Sequence, residues 1–167
     1  MTALPDGLLD PAAYPDPPSS VELRETHISW VFLAGETVYK VKKPVRFPFL
    51  DYGSPATRRR LCHAEVDLNR RFARSVYRGV AGIAPRDGGL AIVDEAAPDA
   101  IDYAVVMRRF DEADTLAARL GSVDASELER VGAAVAAFHA AAPVCEAADL
   151  AGVVEETLDT LAGAGAP

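Results

Sequence analysis

A chain of 167 residues, half of them hydrophobic and a quarter charged, suffices for one domain or slightly more and is too apolar for disorder. Residues 1 to 20 lack a basic stretch followed by an apolar one, and no apolar run approaches the ~20 residues of a membrane span. The net charge of -8 hides an asymmetry: Glu36 to Arg78 holds eleven Lys and Arg against four acids, or +7, leaving -15 for the rest. That segment suits an anionic ligand or a solvated helix face, while the overall acidity and the lack of an interleaved aromatic pattern argue against nucleic acid.

In chain order, residues 1–20 are rich in Pro, Ala and Asp and read as an irregular lead-in. Strands are expected at 21–26, 30–33 and 37–43, with a break at His27–Ser29 and a turn at Ala34-Gly35-Glu36; Pro44 stops the third. Ser54-Pro55 supplies a helix N-cap and a proline at the first helical position, opening a helix to about Arg74. Residues 76–83 and 90–93 flank Arg86-Asp87-Gly88-Gly89 as a hairpin, and 102–110 reads as one more strand. Helices are then expected at 114–120, 124–142 and 150–161. The two cysteines, Cys62 and Cys145, fall inside expected helices without a CxxC spacing, which suits buried thiols in a reducing cytoplasm.

The three lysines of the chain are Lys40, Lys42 and Lys43, all on the third expected strand; every other cation is arginine. Retaining lysine in so arginine-rich a chain suggests that a compact point charge on a slim stem is needed there. Alternation places Val38, Lys40 and Lys42 on one face and Tyr39 and Val41 on the other. On the following helix, Leu61, Leu68 and Phe72 form an apolar stripe in which Glu65 is the lone carboxylate. No basic residue lies three or four positions from Glu65, so a cation from another element, the lysine strand first, is expected to answer it.

Several blocks resemble a bacterial family of aminoglycoside-phosphotransferase-like proteins with a protein-kinase-like fold, many continuing into a P-loop ATP-binding domain. They are Glu25-Thr26-His27-Ile28-Ser29-Trp30-Val31-Phe32-Leu33-Ala34-Gly35, Val38-Tyr39-Lys40-Val41-Lys42-Lys43-Pro44-Val45, Phe49-Leu50-Asp51, Glu65-Val66-Asp67-Leu68-Asn69-Arg70-Arg71 and Val106-Met107-Arg108-Arg109-Phe110. The resemblance implies an α+β chain: a nucleotide-binding small lobe over 21–110, built as a five-stranded antiparallel sheet plus one helix, then the first helices of a large lobe over 111–167. It implies ATP and Mg as cofactors and, as partners, a nucleotide and a C-terminal lobe or P-loop domain beyond this chain. Lys40, or in reserve Lys42, would touch the phosphates and Glu65 would orient it. Val38, two residues before Lys40, suits an adenine wall, whereas Lys40 in that position suits Lys42 poorly. Thr26, His27 and Ser29 would belong to the loop covering the nucleotide, with phosphate contacts from backbone N–H groups and the Thr26 and Ser29 hydroxyls. Met107, Arg108, Arg109 and Phe110 would form the hinge that reads the adenine edge. His139 either belongs to the helix that precedes the catalytic loop or is a packing histidine at a helix end.

The family's catalytic string, of the form HGDxHxxN, does not occur in residues 1–167, nor does a GxxxxGK[ST] loop. The chain therefore reads as a truncated, inactive phosphotransferase part, with a catalytically inert kinase-derived binding or scaffold module as the alternative.

Overall fold

The computed structural model describes residues 4–143 together with 151–152, 154–155 and 158–159, and divides into two units, Met1–Ala125 and Ser126–Pro167. The first unit is α+β. Its strands are β1 (Val21–Glu25), β2 (Ser29–Ala34), β3 (Thr37–Lys42), β4 (Arg46–Phe47), β5 (Leu50–Asp51), β6 (Tyr77–Arg86), β7 (Gly89–Val93) and β8 (Asp102–Arg108), with helix α1 (Pro55–Ala73) between β5 and β6.

Six of these strands form one antiparallel sheet in the order β1-β2-β3-β8-β6-β7. The resemblance implied five strands; the sheet has six, the number of strand runs expected one by one, with 89–93 folding straight back on 82–86 as the expected hairpin. Asp87 and Gly88 allow this, both with positive φ, as a two-residue turn between right-twisted strands requires. The β2–β3 hairpin closes through Gly35 at φ 61° in the same way. The pair β4–β5, a two-stranded ribbon between β3 and α1, was not expected from the sequence. Its strands are two residues long, too short for a periodic pattern, and Pro48 sits between them.

Each face of the sheet is covered by a different element. Residues 6–8 and 11–13 form two 3-10 turns, so the lead-in contributes core. Leu8, Ala13 and Tyr14 are buried with Phe32, Tyr39, Val41, Ile83 and Ala104, and the Tyr14 hydroxyl donates to the Leu8 carbonyl at 2.6 Å. On the opposite face Cys62 and Val66 of α1 pack on Val105, Val80 and Met107. Ser54 caps α1 by accepting from the Thr57 amide at 3.1 Å, and Pro55 follows at N1.

The packing stripe of α1 differs from the expected one. Arg58, Cys62 and Val66, at i, i+4 and i+8, are its buried residues, while Leu68 and Phe72 are each 56% exposed. Arg58 can occupy that stripe because its charge is fully answered. Its Nε and Nη2 donate to the two carboxylate oxygens of Asp102, both at 2.9 Å, and Nη1 donates to the Tyr52 carbonyl at 2.8 Å. Both side chains of the pair are buried. A hydrophobic-stripe reading discards an arginine, and so loses the register of this helix.

The helix expected over 114–120 is absent: residues 112–114 make a 3-10 turn, followed by further turns. Side chains compete locally for the backbone there. The Asp111 carboxylate accepts from the Ala113 amide, and the Thr115 hydroxyl donates to the Glu112 carbonyl while accepting from the Ala118 amide. Helix α2 spans Ala125–Ala141, close to the expected 124–142, and buries none of its residues; Leu128, Val131 and Val135 are exposed. Of the helix expected over 150–161, residues 151–152, 154–155 and 158–159 are helical and the rest lie outside the described residues, as does Cys145. No helix among the described residues is long and apolar enough to cross a membrane.

Candidate functional site

Strand alternation builds the site. Tyr39 and Val41 join the core under the N-terminal turns, so Lys40 and Lys42 are turned toward α1. Strand β3 is interior, pairing Lys40 with Val31 of β2 and with Val105 of β8. From α1, Glu65 meets both lysines. Its Oε1 accepts from Lys40 Nζ at 2.8 Å and its Oε2 from Lys42 Nζ at 2.5 Å. The sequence suggested one lysine partner for Glu65; the structure supplies two.

The two lysines are not equivalent. The Lys42 side chain is 4% exposed and that of Lys40 31%, with Glu65 at 14%. Below Lys42, the Tyr52 ring centroid lies 5.1 Å from its Nζ, a cation–π contact that helps a dehydrated ammonium remain charged. Burial pushes the Lys42 pKa down, but its hydrogen bond and attraction to Glu65 outweigh this and leave it raised. Burial likewise pushes Glu65 up, and the hydrogen bonds from Lys40 and Lys42 more than reverse it, so the carboxylate sits below its ordinary range. The backbone carbonyl of Glu65 accepts from Asn69 Nδ2 at 2.8 Å, which fixes that turn of the helix. Nearby Cys62 is buried with its thiol pushed up to about 11, chiefly by desolvation, so it is an inert packing group. With two ammoniums and one carboxylate, the clasp carries a net +1, and its accessible charge is Lys40.

The other residues singled out in the sequence are placed as follows. Thr26, His27 and Ile28 make the tight turn between β1 and β2. The Thr26 hydroxyl accepts from the Ser29 amide at 3.0 Å and from the Ile28 amide at 3.4 Å, so these groups are engaged within the turn. Ser29 is buried opposite Lys42, and His27 is exposed. Lys43 closes the same turn, donating to the Thr26 carbonyl and the Glu25 carboxylate, both at 2.5 Å. Met107 pairs with Val38 on one side and Tyr77 on the other. The Arg108 amide donates to the Val76 carbonyl and the Arg109 amide to Glu36, so of the expected hinge, Phe110 lies past these sheet-edge bonds. Phe110 is 52% exposed. His139, in the last turn of α2, is exposed rather than packed into a core, and its ring lies 5.9 Å from that of Phe138.

Sequence reading overlooked three groups here. Tyr52 gave no signal, being one aromatic in a turn-rich stretch. Asp102 stood at the head of a β-rich run, where an acid reads as a strand boundary. Glu95, in the loop after β7, accepts from Arg59 at 2.7 Å and lies 2.6 Å from His63 Nε2, joining that loop to α1. Arg59 also stacks over Tyr103, with its guanidinium carbon 5.3 Å from the ring centroid. A surface cavity of about 590 Å³ opens beside this cluster, lined by Tyr39, Arg59, Val80, Glu95 and Val106 among others, and touches neither clasp lysine. The clasp, with its net charge and dehydrated partners, is the better candidate site, since concavity alone selects no chemistry. Among the described residues no three of His, Cys, Asp and Glu gather where they could hold a metal ion.

No family model matches the chain, and no solved structure does. The chain is similar to the uncharacterized protein Rv2004c of Mycobacterium tuberculosis and the uncharacterized protein Mb2027c of Mycobacterium bovis. Each is 34% identical over 136 residues, covering 80% of this chain and 25% of the relative. The chain thus spans about a quarter of the length of the curated relatives it matches.

Proposed function

We propose that this chain is the nucleotide-binding part of a kinase-like small-molecule phosphotransferase, with Lys40 as the group that meets the phosphates. The observation that carries the reading is the clasp itself: a lysine on the third strand of an antiparallel sheet, held by a carboxylate from the one helix inserted after it, with a positive charge left over. In protein kinases a third-strand lysine and a helix glutamate form such a pair and bring the ammonium onto the nucleotide phosphates. Here Glu65 orients Lys40, while β3, between β2 and β8, holds the lysine stem rigid. ATP with magnesium is the ligand this reading assigns, the cytoplasm the compartment, and the HGDxHxxN string that would activate the acceptor and hold metal does not occur in residues 1–167.

A second reading, an inert kinase-derived binding module, draws on a different observation. The Thr26 hydroxyl, the amides of Ile28 and Ser29 and those of Arg108 and Arg109 are committed to internal bonds, which leaves few of the backbone donors a nucleotide would use. Calorimetric titration of the chain with ATP and magnesium separates the two. The nucleotide reading expects binding no tighter than roughly millimolar, about 4 kcal/mol, weakened in Lys40→Met and less so in Lys42→Met, with no phosphate release. Absence of binding favours the inert module, and micromolar binding indifferent to either lysine places the nucleotide elsewhere.

A further inference from the structure

A kinase-type site needs a single lysine to answer its helix carboxylate and meet the phosphates. Here a second, sealed lysine occupies the other oxygen of Glu65. We infer that Lys42 is a positioning residue: it fixes Glu65, and through it Lys40, so that the Lys40–Glu65 pair stands assembled in the free chain and stays intact while Lys40 meets the phosphates. The inference rests on the nucleotide reading above and adds to it the group that sets the position of its lysine.

Helix α1 is tied to three strands along its length. Arg58 grips Asp102 of β8, and Glu65 grips the lysines of β3. Arg70 donates from Nε to the Tyr77 carbonyl at 2.9 Å and from Nη2 to the Arg78 carbonyl, both on β6. So fastened, the helix is held against the sheet, and the freedom left at the clasp is that of the Glu65 side chain. A carboxylate held at one oxygen can still turn about its Cγ–Cδ bond. Held at both, by ammoniums from alternate positions on one face of β3, it has a single orientation. Lys42 is suited to this holding task and not to the ligand. It is nearly sealed, lies opposite buried Ser29 and is backed by the Tyr52 ring, so it has no path to an external anion. Lys40 is about a third exposed, and an ammonium offers more N–H donors than the one Glu65 takes, so Lys40 can donate to a phosphate with the pair kept. Lys42 also supplies the surplus charge, since Lys40 and Glu65 alone would be neutral. A lysine fixed before the ligand arrives spares binding the cost of ordering it.

The test follows the three lysines of the 167-residue chain through their side-chain Cε–Hε NMR signals, assigned by single Lys→Arg changes. In the parent chain the Lys40 Cε methylene is expected to be ordered on the ps–ns timescale before ATP is added, and ATP with magnesium should shift its signal without loosening it. Lys42→Met should loosen that methylene in the free chain and weaken ATP binding roughly fivefold, within the range that coupling inside one ion network covers and less than Lys40→Met does. On a Glu65→Gln background the same change should cost under about twofold, because Lys42 acts through the carboxylate. Equal losses on both backgrounds would reduce Lys42 to a packing residue and overturn the inference. If Lys42→Met left either the order of the Lys40 methylene or the ATP affinity unchanged, the inference would fall and the nucleotide reading would stand. The same holds if the Lys40 methylene of the free parent chain proved as mobile as that of an unpaired lysine, a result that needs no variant to fold. ATP that shifted no lysine signal would remove the nucleotide reading, and this inference with it.

Discussion

Two ion clusters fasten α1 to the sheet, and they differ in stoichiometry. Near the helix start, Arg58 and Asp102 form a one-to-one, two-pronged pair, both side chains 6% exposed, with the third guanidinium nitrogen donating to the Tyr52 carbonyl. Two turns later Glu65 meets two lysines, one of them partly exposed, and the cluster keeps a positive charge. The first is closed, because its two charges cancel and both side chains are buried. The second is open, because one charge is in surplus and faces solvent. Burial alone would have ranked the arginine pair as the site; counting charges reverses that order. Tyr52 touches both, holding Arg58 by its carbonyl and Lys42 by its ring, so the closed cluster positions the open one.

The largest effect expected is on the closed cluster. Asp102→Ala leaves a dehydrated guanidinium without its carboxylate and should cost about 3–5 kcal/mol of stability, read from urea unfolding. The double change Arg58→Met with Asp102→Leu should recover much of this, though not all, because the Tyr52 carbonyl then loses its donor. If Asp102→Ala were neutral, the pair would be solvated and the comparison would lose its first half.

Next in size is Glu65→Ala, which leaves two ammoniums facing one another at a partly buried position. A loss of roughly 2–3 kcal/mol is expected, below that at Asp102 because Lys40 can turn to water. The same change takes away the carboxylate that orients Lys40 and should weaken ATP binding, whereas Asp102→Asn should not.

The open cluster also has a pH signature, and its direction follows from the two shifts. Glu65 is lowered from an ordinary 4.5, so its stabilisation is present above that value and is lost as pH falls toward and through the depressed one. Lys42 is raised from 10.5, so its stabilisation is complete below that value and is lost as pH rises through the elevated one. The difference in Tm between the parent chain and Glu65→Gln should therefore be flat from about pH 5 to pH 10 and shrink at both ends. Glu25, Asp51, Glu95 and Asp99 are also lowered, so the parent's own acid profile mixes several groups, and only the difference isolates Glu65. A difference that persisted unchanged at pH 3 would mean that Glu65 is not held as a carboxylate by these lysines.

The open cluster was the more legible of the two from the sequence. Lysine confined to one strand, alternation along it and a carboxylate lacking a helix partner together led to Lys40, Lys42 and Glu65. The helix boundaries, 55–73 against an expected end near 74, followed from Ser54-Pro55, since caps are local chemistry. What escaped notice depended on tertiary partners. Arg58 looked like one of three surface arginines, and only Asp102, 44 residues away, makes it a core residue. For the same reason the stripe through Leu68 and Phe72 was preferred to the one through Arg58, Cys62 and Val66. The β4–β5 ribbon and the turns after Asp111 were missed because short side chains and a proline, not periodicity, organise them.

The smallest effect expected is also the one that tests the asymmetry inside the open cluster. Lys40→Met removes a charge that is about a third exposed, while Lys42 still neutralises Glu65. Solvent screening and the entropy of holding a long side chain in place reduce what such a partner contributes, so the cost in stability should stay under ~1 kcal/mol. Lys42→Met should cost more, because it empties a sealed position and deprives Tyr52 of its cation as well as Glu65 of its inner partner. The ordering for ATP binding should be the reverse, with Lys40→Met the more damaging of the two. Unfolding curves and ATP titrations on the same two variants measure both orderings. Equal effects in both assays would make the lysines interchangeable; a clasp that is symmetric in that sense has no member set aside for a ligand.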